Sequence, residues 1–187
     1  MCEDGEGALA EARYGLDLDP LSEFTNSGGA WIALFARRHE QAAYEATRTL
    51  EMFPYSLQAY YVLGLANSRL GKLSDAIAAL ERAVSISRDP IGMGYLGHVY
   101  ALAGRADRAR ELLEEVKGRE YVPEKSLISI YAGLGDRDRA FEALERTWVK
   151  RDPMLFWLHC APPFEPLRDD PRFEDIHSRL QSCAVTR

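Results

Sequence analysis

The sequence has few cysteines, no long apolar run and no excess of positive charge. The three cysteines, Cys2, Cys160 and Cys183, are widely separated and lack the spacing of a metal site or a redox motif. No apolar run approaches the roughly 20 residues that span a bilayer, and the acidic start lacks the basic and apolar regions of a secretory signal. We therefore expect no metal, no cofactor, no membrane contact and a reducing, cytoplasmic location.

The charge balance argues against a nucleic-acid partner. The 187 residues carry a net charge of −6, whereas a nucleic-acid binder needs a basic face that displaces counterions from phosphates. Apolar residues make up 47% of the chain and charged residues 28%, which is typical of a soluble globular protein. The composition therefore favours one folded domain and argues against a nucleic-acid partner.

The sequence also lacks the alternation of apolar and polar residues with period two that predicts strands. Small residues recur with a longer period instead. Alanines recur at intervals of 34, 33 and 31 residues, at Ala42, Ala76, Ala109 and Ala140. Glycines recur with nearly the same spacing, and an arginine holds the first matching place: Arg37, Gly71, Gly104 and Gly135. A period near 34 with small residues at fixed points is typical of a two-helix hairpin stacked on copies of itself.

Local signals place the ends of these helices. Ser56, Ser74, Asp89 and Asp136 are suited to cap helix starts, while Gly71 and Gly104 are suited to end helices with a positive φ. The pattern predicts an all-α protein of antiparallel helix pairs. Small residues would let paired helices approach closely. We expect Gly64 to face Ala76, Gly97 to face Ala109 and Ala30 to face Ala42.

The repeated positions resemble the tetratricopeptide-repeat (TPR) family. One copy of the family signature comprises Tyr60, Leu63, Gly64, Gly71, Ala76, Leu80 and Ala83. A second comprises Leu96, Gly97, Tyr100, Gly104, Ala109, Leu113 and Val116, and a third Leu127, Tyr131, Gly135, Ala140 and Leu144. The resemblance implies a right-handed superhelical solenoid that acts as a non-enzymatic scaffold for protein–protein interaction. It divides residues 1–187 into a half repeat at 8–20, repeats at 22–54, 55–88, 89–120 and 121–152, and a C-terminal helical cap at 153–183.

The closing segments carry a narrower resemblance. Residues 121–123, 130–135, 151–153 and 166–173 are similar to the end of the TPR region in bacterial multidomain transcription regulators, Ser/Thr kinases and cyclase-like proteins. This resemblance implies an alternative function, in which the chain is a C-terminal regulatory or sensor segment of such a protein.

In the TPR family the first helix of each pair lines a concave wall that contacts the ligand. Projecting that pattern onto this sequence predicts a groove for a peptide or helix. The groove residues are Trp31, Phe35, Tyr61, Leu65, Arg69, His98, Leu102, Lys125 and Ser129. The aromatic and apolar members favour a mixed hydrophobic groove.

Two patterns suggest other chemistry. Gly92, Gly94 and Gly97 spell the G-x-G-x-x-G dinucleotide fingerprint, but that motif requires a preceding strand, and the segment before Gly92 ends one helix and caps another. His98 or His159 could serve an enzyme, which is a remote alternative, because no nucleophile or acid is spaced to join either of them. We predict no catalytic residues.

The two ends of the chain differ in their expected protection. Aromatic residues gather near the C-terminus, at Trp148, Phe156, Trp157, Phe164 and Phe173. Solenoids need end units that shield the last hydrophobic face, so we expect this region to form the cap. The lone helix at 8–18 lacks its mate, so we expect self-association through the N-terminal half repeat or contact with another domain.

Overall fold

The computed structural model describes residues 5–153, 155 and 158–185, and within them the regular structure is entirely helical. The elements in chain order are α1 (Gly5–Leu18), α2 (Glu23–Phe35), α3 (His39–Met52), α4 (Leu57–Arg69), α5 (Leu73–Ile86), α6 (Pro90–Leu102), α7 (Ala106–Lys117), α8 (Glu124–Leu134), α9 (Arg137–Val149), a 3-10 helix (Pro162–Leu167) and α10 (Pro171–Val185). The all-α fold class is confirmed. Phe156 and Trp157, expected in the cap, lie outside the described residues.

Side-chain caps begin two helices at predicted residues, whereas the predicted cap Ser74 is wrong, because α5 already begins at Leu73. The Ser56 hydroxyl accepts a hydrogen bond from the Ala59 amide at 3.3 Å. Asp89 accepts from the Ile91 and Gly92 amides at 2.9 and 3.1 Å, and Pro90 follows as the first helical residue. Each cap satisfies amides that the first helical turn would otherwise leave unpaired.

The turns inside the helix pairs share one backbone conformation. Gly71, Gly104 and Gly135 adopt φ values of 74°, 75° and 74°, and Arg37 adopts 59° at the matching place one repeat earlier. This left-handed conformation costs little for glycine and more for a residue with a Cβ. Arg37 therefore adopts the same turn conformation as the three glycines, at some cost in backbone energy.

Four antiparallel pairs form the body of the molecule: α2 with α3, α4 with α5, α6 with α7, and α8 with α9. The recurring alanines Ala42, Ala76, Ala109 and Ala140 are completely buried. The first helices of the pairs, α2, α4, α6 and α8, also contact one another in sequence and are called the inner layer below. This arrangement makes the inner layer a continuous wall of four helices.

The nearest neighbours of two glycines are not the expected alanines. A Cβ atom at Gly64 would lie 2.4 Å from Cγ of Leu80, so Leu80 of the paired helix packs nearest to it. A Cβ at Gly97 would lie 2.7 Å from Cγ1 of Ile130, so the atoms nearest to this Cβ position belong to the next inner helix, α8. The sequence pattern could not separate these neighbours, because a glycine admits close approach on any side.

Helices α6 and α8 approach at the level of their backbones. A Cβ at Gly94 would lie 2.7 Å from Cα of Ser126, and one at Gly133 would lie 2.9 Å from Cα of His98. A Cβ at Gly92 would lie 2.9 Å from the hydroxyl of Tyr61 on α4. All three glycines of the G-x-G-x-x-G pattern thus lie inside α6 and make room for neighbouring helices.

The C-terminal region closes the end of the solenoid. Helix α10 is joined to α9 by ion pairs between Arg172 and Asp138 at 2.8 Å and between Arg179 and Glu145 at 2.5 Å. Phe173 and Ile176 of α10 are 2% and 1% exposed and belong to the main hydrophobic core. The apolar side of α10 therefore shields the last repeat.

We predict opposite effects for two glycine-to-alanine substitutions in helix interiors. Gly94→Ala should lower the free energy of unfolding by about 1–3 kcal/mol, because its Cβ would collide with the α8 backbone. Gly28→Ala is the matched control: a Cβ there meets nothing within 4 Å, so the gain in helix propensity should raise stability by about 0.5–1 kcal/mol. Urea unfolding measures both, and equal changes of one sign would contradict the close α6–α8 packing.

Candidate functional site

A row of aromatic rings crosses the inner layer from α2 to α6. The centroid of Trp31 lies 5.2 Å from that of Phe35 and 6.4 Å from that of Tyr95. Tyr95 in turn meets Tyr61 edge to face, with centroids 5.5 Å apart. Such tilted ring pairs stabilise one another beyond the apolar area they bury. Within the row, Tyr61 and Tyr95 are only 4% and 1% exposed, so Trp31 and Phe35 contribute the partly exposed rings of the wall.

Polar groups lie beside the aromatic row. The indole Nε1 of Trp31 donates to Oε1 of Gln58 at 2.9 Å, and Gln58 is exposed. The ammonium of Lys125 lies 5.1 Å from the centroid of the Tyr95 ring, a distance suited to a cation–π contact. Trp31, Phe35 and Lys125 are each half-buried. An apolar surface with one amide and one cation at its edge can hold the apolar side of a peptide and bond to its polar groups.

Four of the nine predicted groove residues are buried. Tyr61, Leu65, His98 and Ser129 are exposed by 4%, 0%, 2% and 1%. The Tyr61 hydroxyl donates to Asp89, the residue that caps α6. Burial, assisted by this hydrogen bond, raises the pKa of the Tyr61 phenol. Tyr61 therefore fixes α4 to the start of α6 and presents no free surface to a ligand.

His98 and Ser129 join α6 to α8. The Nδ1 atom of His98 lies 3.0 Å from the carbonyl oxygen of Ser129. Because a carbonyl only accepts, Nδ1 carries the proton in this contact. Burial lowers the pKa of His98 to about 4, so the ring is neutral at pH 7.

The remaining predicted residues reach the surface. Leu102, at the end of α6, is 41% exposed. Arg69, the last residue of α4, forms an ion pair of 2.7 Å with Glu165 of the 3-10 helix. The structure thus brings Trp31, Phe35 and Lys125 together through the aromatic row, while Arg69 is engaged by the C-terminal region.

Three residues of this site were not predicted from the sequence: Gln58, Tyr95 and Glu165. Gln58 and Tyr95 each lie three positions before a predicted groove residue, Tyr61 and His98, so the helical spacing that selected those two would also have found them. The contact of Glu165 with Arg69 could not be predicted from the sequence, because the two residues are far apart along the chain.

The other histidine considered for catalysis lies near the cap. Nε2 of His159 contacts Nδ1 of His177, and the His159 ring meets Phe173 with centroids 5.1 Å apart. Burial, then the neighbouring His177, lowers the pKa of His159. The adjacent Cys160 is disulfide-bonded.

Two features are absent from the described part of the chain. There, no three side chains of His, Cys, Asp or Glu are grouped so that they could hold a metal ion. None of the described helices combines the length and the apolar character that crossing a membrane would require.

The fold is that of a TPR solenoid, a class that serves as a scaffold for protein–protein interaction and is typically non-enzymatic. Residues 57–90 match the tetratricopeptide-repeat family model. The crystal structure of MamA resembles this chain with a TM-score of 0.54 and 25% sequence identity, covering 80% of this chain and 90% of that one.

Two curated relatives come from Methanocaldococcus jannaschii. The TPR repeat-containing protein MJ0940 is 31% identical over 80 residues, which are 43% of this chain and 25% of the relative. The TPR repeat-containing protein MJ0941 is 31% identical over 88 residues, which are 46% of this chain and 26% of the relative. The matched region therefore spans about a quarter of each relative.

We predict that His98 makes stability depend on pH. Its pKa is near 4 in the folded protein and 6.5 in the unfolded chain, so its contribution is complete above pH 6.5 and is lost as pH falls towards 4. The loss amounts to about 3 kcal/mol. His98→Asn keeps an amide donor for the Ser129 carbonyl but does not titrate.

Urea unfolding of both proteins from pH 8 to pH 4 measures this contribution. The stability advantage of the wild type over His98→Asn should shrink between pH 6.5 and 4. An advantage that stays constant across this range would show that His98 is not buried in its neutral form.

Proposed function

We propose that this protein is a non-enzymatic scaffold that holds a peptide or helix of a partner protein on its inner layer. The observation that carries the proposal is the aromatic row with its polar border. Trp31 and Phe35 offer half-buried rings, and Gln58 and Lys125 offer hydrogen-bonding groups beside them. Partly exposed aromatic anchors beside polar groups are frequent in protein interfaces.

The predicted groove divides into two functional groups. Trp31, Phe35, Arg69, Leu102 and Lys125 retain surface that a ligand could contact. Tyr61, Leu65, His98 and Ser129 support the wall from within, and a ligand would reach them only if the inner layer opened. We propose contact through the first group, together with Gln58.

The N-terminal end supports contact with another chain or domain. Tyr14, Leu18, Leu21 and Phe24 are exposed by 61%, 68%, 77% and 86%, which leaves several large apolar side chains close together in sequence without cover. Self-association through this end stays a prediction, and the oligomeric state in solution tests it. A role as the regulatory segment of a larger transcription regulator, kinase or cyclase is an alternative that the same exposed end would serve.

Site-specific photo-cross-linking tests the groove. A photoreactive residue in place of Gln58 reports on the inner layer. The matched control is a photoreactive residue in place of Arg82, which is exposed on α5, the helix that pairs with α4 but lies outside the inner layer. We expect position 58 to yield an adduct that maps to a single segment of a partner, and position 82 to yield none of it. Lys125→Ala should reduce the adduct at position 58, because the ligand loses a cation at the groove edge.

Two results would contradict the proposal that the partner binds in the groove. Identical adducts from positions 58 and 82 would show contact without preference for the inner layer. An adduct at position 58 that Lys125→Ala and Trp31→Ala both leave unchanged would place the partner elsewhere. Circular dichroism of each variant checks that the helices are retained.

A further inference from the structure

The segment Pro162–Leu167, called the strap below, bridges two helices of the inner layer. It packs against α8, and its Glu165 carboxylate lies 2.7 Å from the Arg69 guanidinium at the end of α4. The strap therefore touches the inner layer at α8 and at the last residue of α4. It engages Arg69, one of the residues through which we propose that a ligand contacts this wall.

Apolar anchors hold the strap in place. Phe164 and Leu167 are completely buried, Pro162 and Pro163 are also buried, and the first two belong to the same core as Leu65 of α4. The strap thus shows which side chains this surface accepts: an aromatic ring and an aliphatic chain on either side of an acidic residue.

The charges around Glu165 are unbalanced. Arg69 pairs with it at 2.7 Å, and Arg168 lies 3.7 Å from it. Burial, then the charge of Arg37, lowers the pKa of Arg168. Two guanidinium groups therefore lie within ion-pair distance of one carboxylate in a protein whose net charge is −6.

Two polar atoms at this place are buried without a partner. Among the described residues, Nδ1 of His39 and Nε of Arg168 have no hydrogen-bonding partner. Burial, then the charge of Arg69, lowers the pKa of His39, so this ring also lies near the cluster. Unpaired buried donors are costly, and an additional acceptor would relieve that cost.

We propose that the strap is a built-in competitor for the inner layer, and that the partner segment it imitates is an acidic peptide with aromatic and aliphatic anchors. This inference rests on the proposed function, since it names the chemistry of the ligand and a contact that regulates its access. Because the strap is tethered, its effective concentration is in the millimolar range, so an outside peptide must outcompete it. Weakening the strap therefore strengthens the binding of the partner.

Peptide binding to strap variants tests the proposal. The acidic probe is a fluorescent peptide with the sequence of residues 161–167, and the neutral probe has glutamine in place of its glutamate. Glu165→Gln should bind the acidic probe about fivefold tighter than the wild type does, by the weight of one partly exposed ion pair. It should also prefer the acidic probe to the neutral one, and this preference should shrink as salt is added.

Two further variants control the result. Arg69→Gln also breaks the ion pair that holds the strap, but it removes the cation that would bind the glutamate of the acidic probe. This variant should therefore bind the acidic and the neutral probe with equal affinity. Glu142→Gln removes an exposed carboxylate from α9, and its affinity should match that of the wild type. Circular dichroism verifies folding, and Arg69→Gln keeps the comparison open if Glu165→Gln does not fold.

The contradicting outcomes separate this inference from the proposed function. If Glu165→Gln binds both probes equally, or binds neither while cross-linking at Gln58 persists, the strap does not imitate the partner, although the groove stands. If Glu165→Gln forms a dimer that exchanges straps, a second copy occupies the layer and the outside peptide is rejected. If cross-linking at Gln58 also fails, the groove itself is rejected.

Discussion

The backbone-level contact between α6 and α8 is the constraint on which the inner layer depends. Helices usually pack with their axes 8–10 Å apart, at a separation set by the side chains between them. Here Gly94, Gly97 and Gly133 remove those side chains, and Ser126, Ile130 and the His98 backbone fill the space. Glycine inside a helix costs about 1 kcal/mol relative to alanine. The close packing offsets that cost, and it explains glycines that otherwise resemble a nucleotide-binding fingerprint.

The same contact determines what the inner layer can present. His98 is buried as a neutral ring bonded to Ser129, and Tyr61 is bonded to the cap of α6. These polar groups are consumed in joining neighbouring helices, so they hold the wall rigid. The groups that remain for a ligand are the rings of Trp31 and Phe35 and the polar atoms beside them. The strap then covers part of the wall with the chain's own aromatic and acidic residues.

The sequence predicted those features that depend on local chemistry. Ser56, Asp89 and Asp136 cap helices as expected, and Gly71 and Gly104 adopt the positive φ that was expected of them. These features follow from hydrogen bonds and backbone conformations within a few residues of each other.

Contacts between repeats were harder to predict. Helical spacing placed Tyr61 and Leu65 on one face, but it could not tell whether that face is open, because the answer depends on α6 and the strap. The ion-pair partner of Arg69 was likewise not predictable, since the sequence around a surface arginine does not indicate which acidic residue lies near it in the fold. The nearest neighbour of Gly97 was hidden for a similar reason: the family pattern describes pairs within a repeat, whereas the atoms nearest to a Cβ at this glycine belong to Ile130 of the next repeat.

The most direct test of the covered inner layer is the free energy of unfolding of Phe164→Ala, measured beside Phe24→Ala. Phe164 is completely buried in the strap, whereas Phe24 is 86% exposed. The account predicts a loss of about 3–5 kcal/mol for Phe164→Ala, the usual cost of emptying a buried phenylalanine site, and almost no change for Phe24→Ala. Equal and small losses in both variants would show that the strap does not pack on the inner layer.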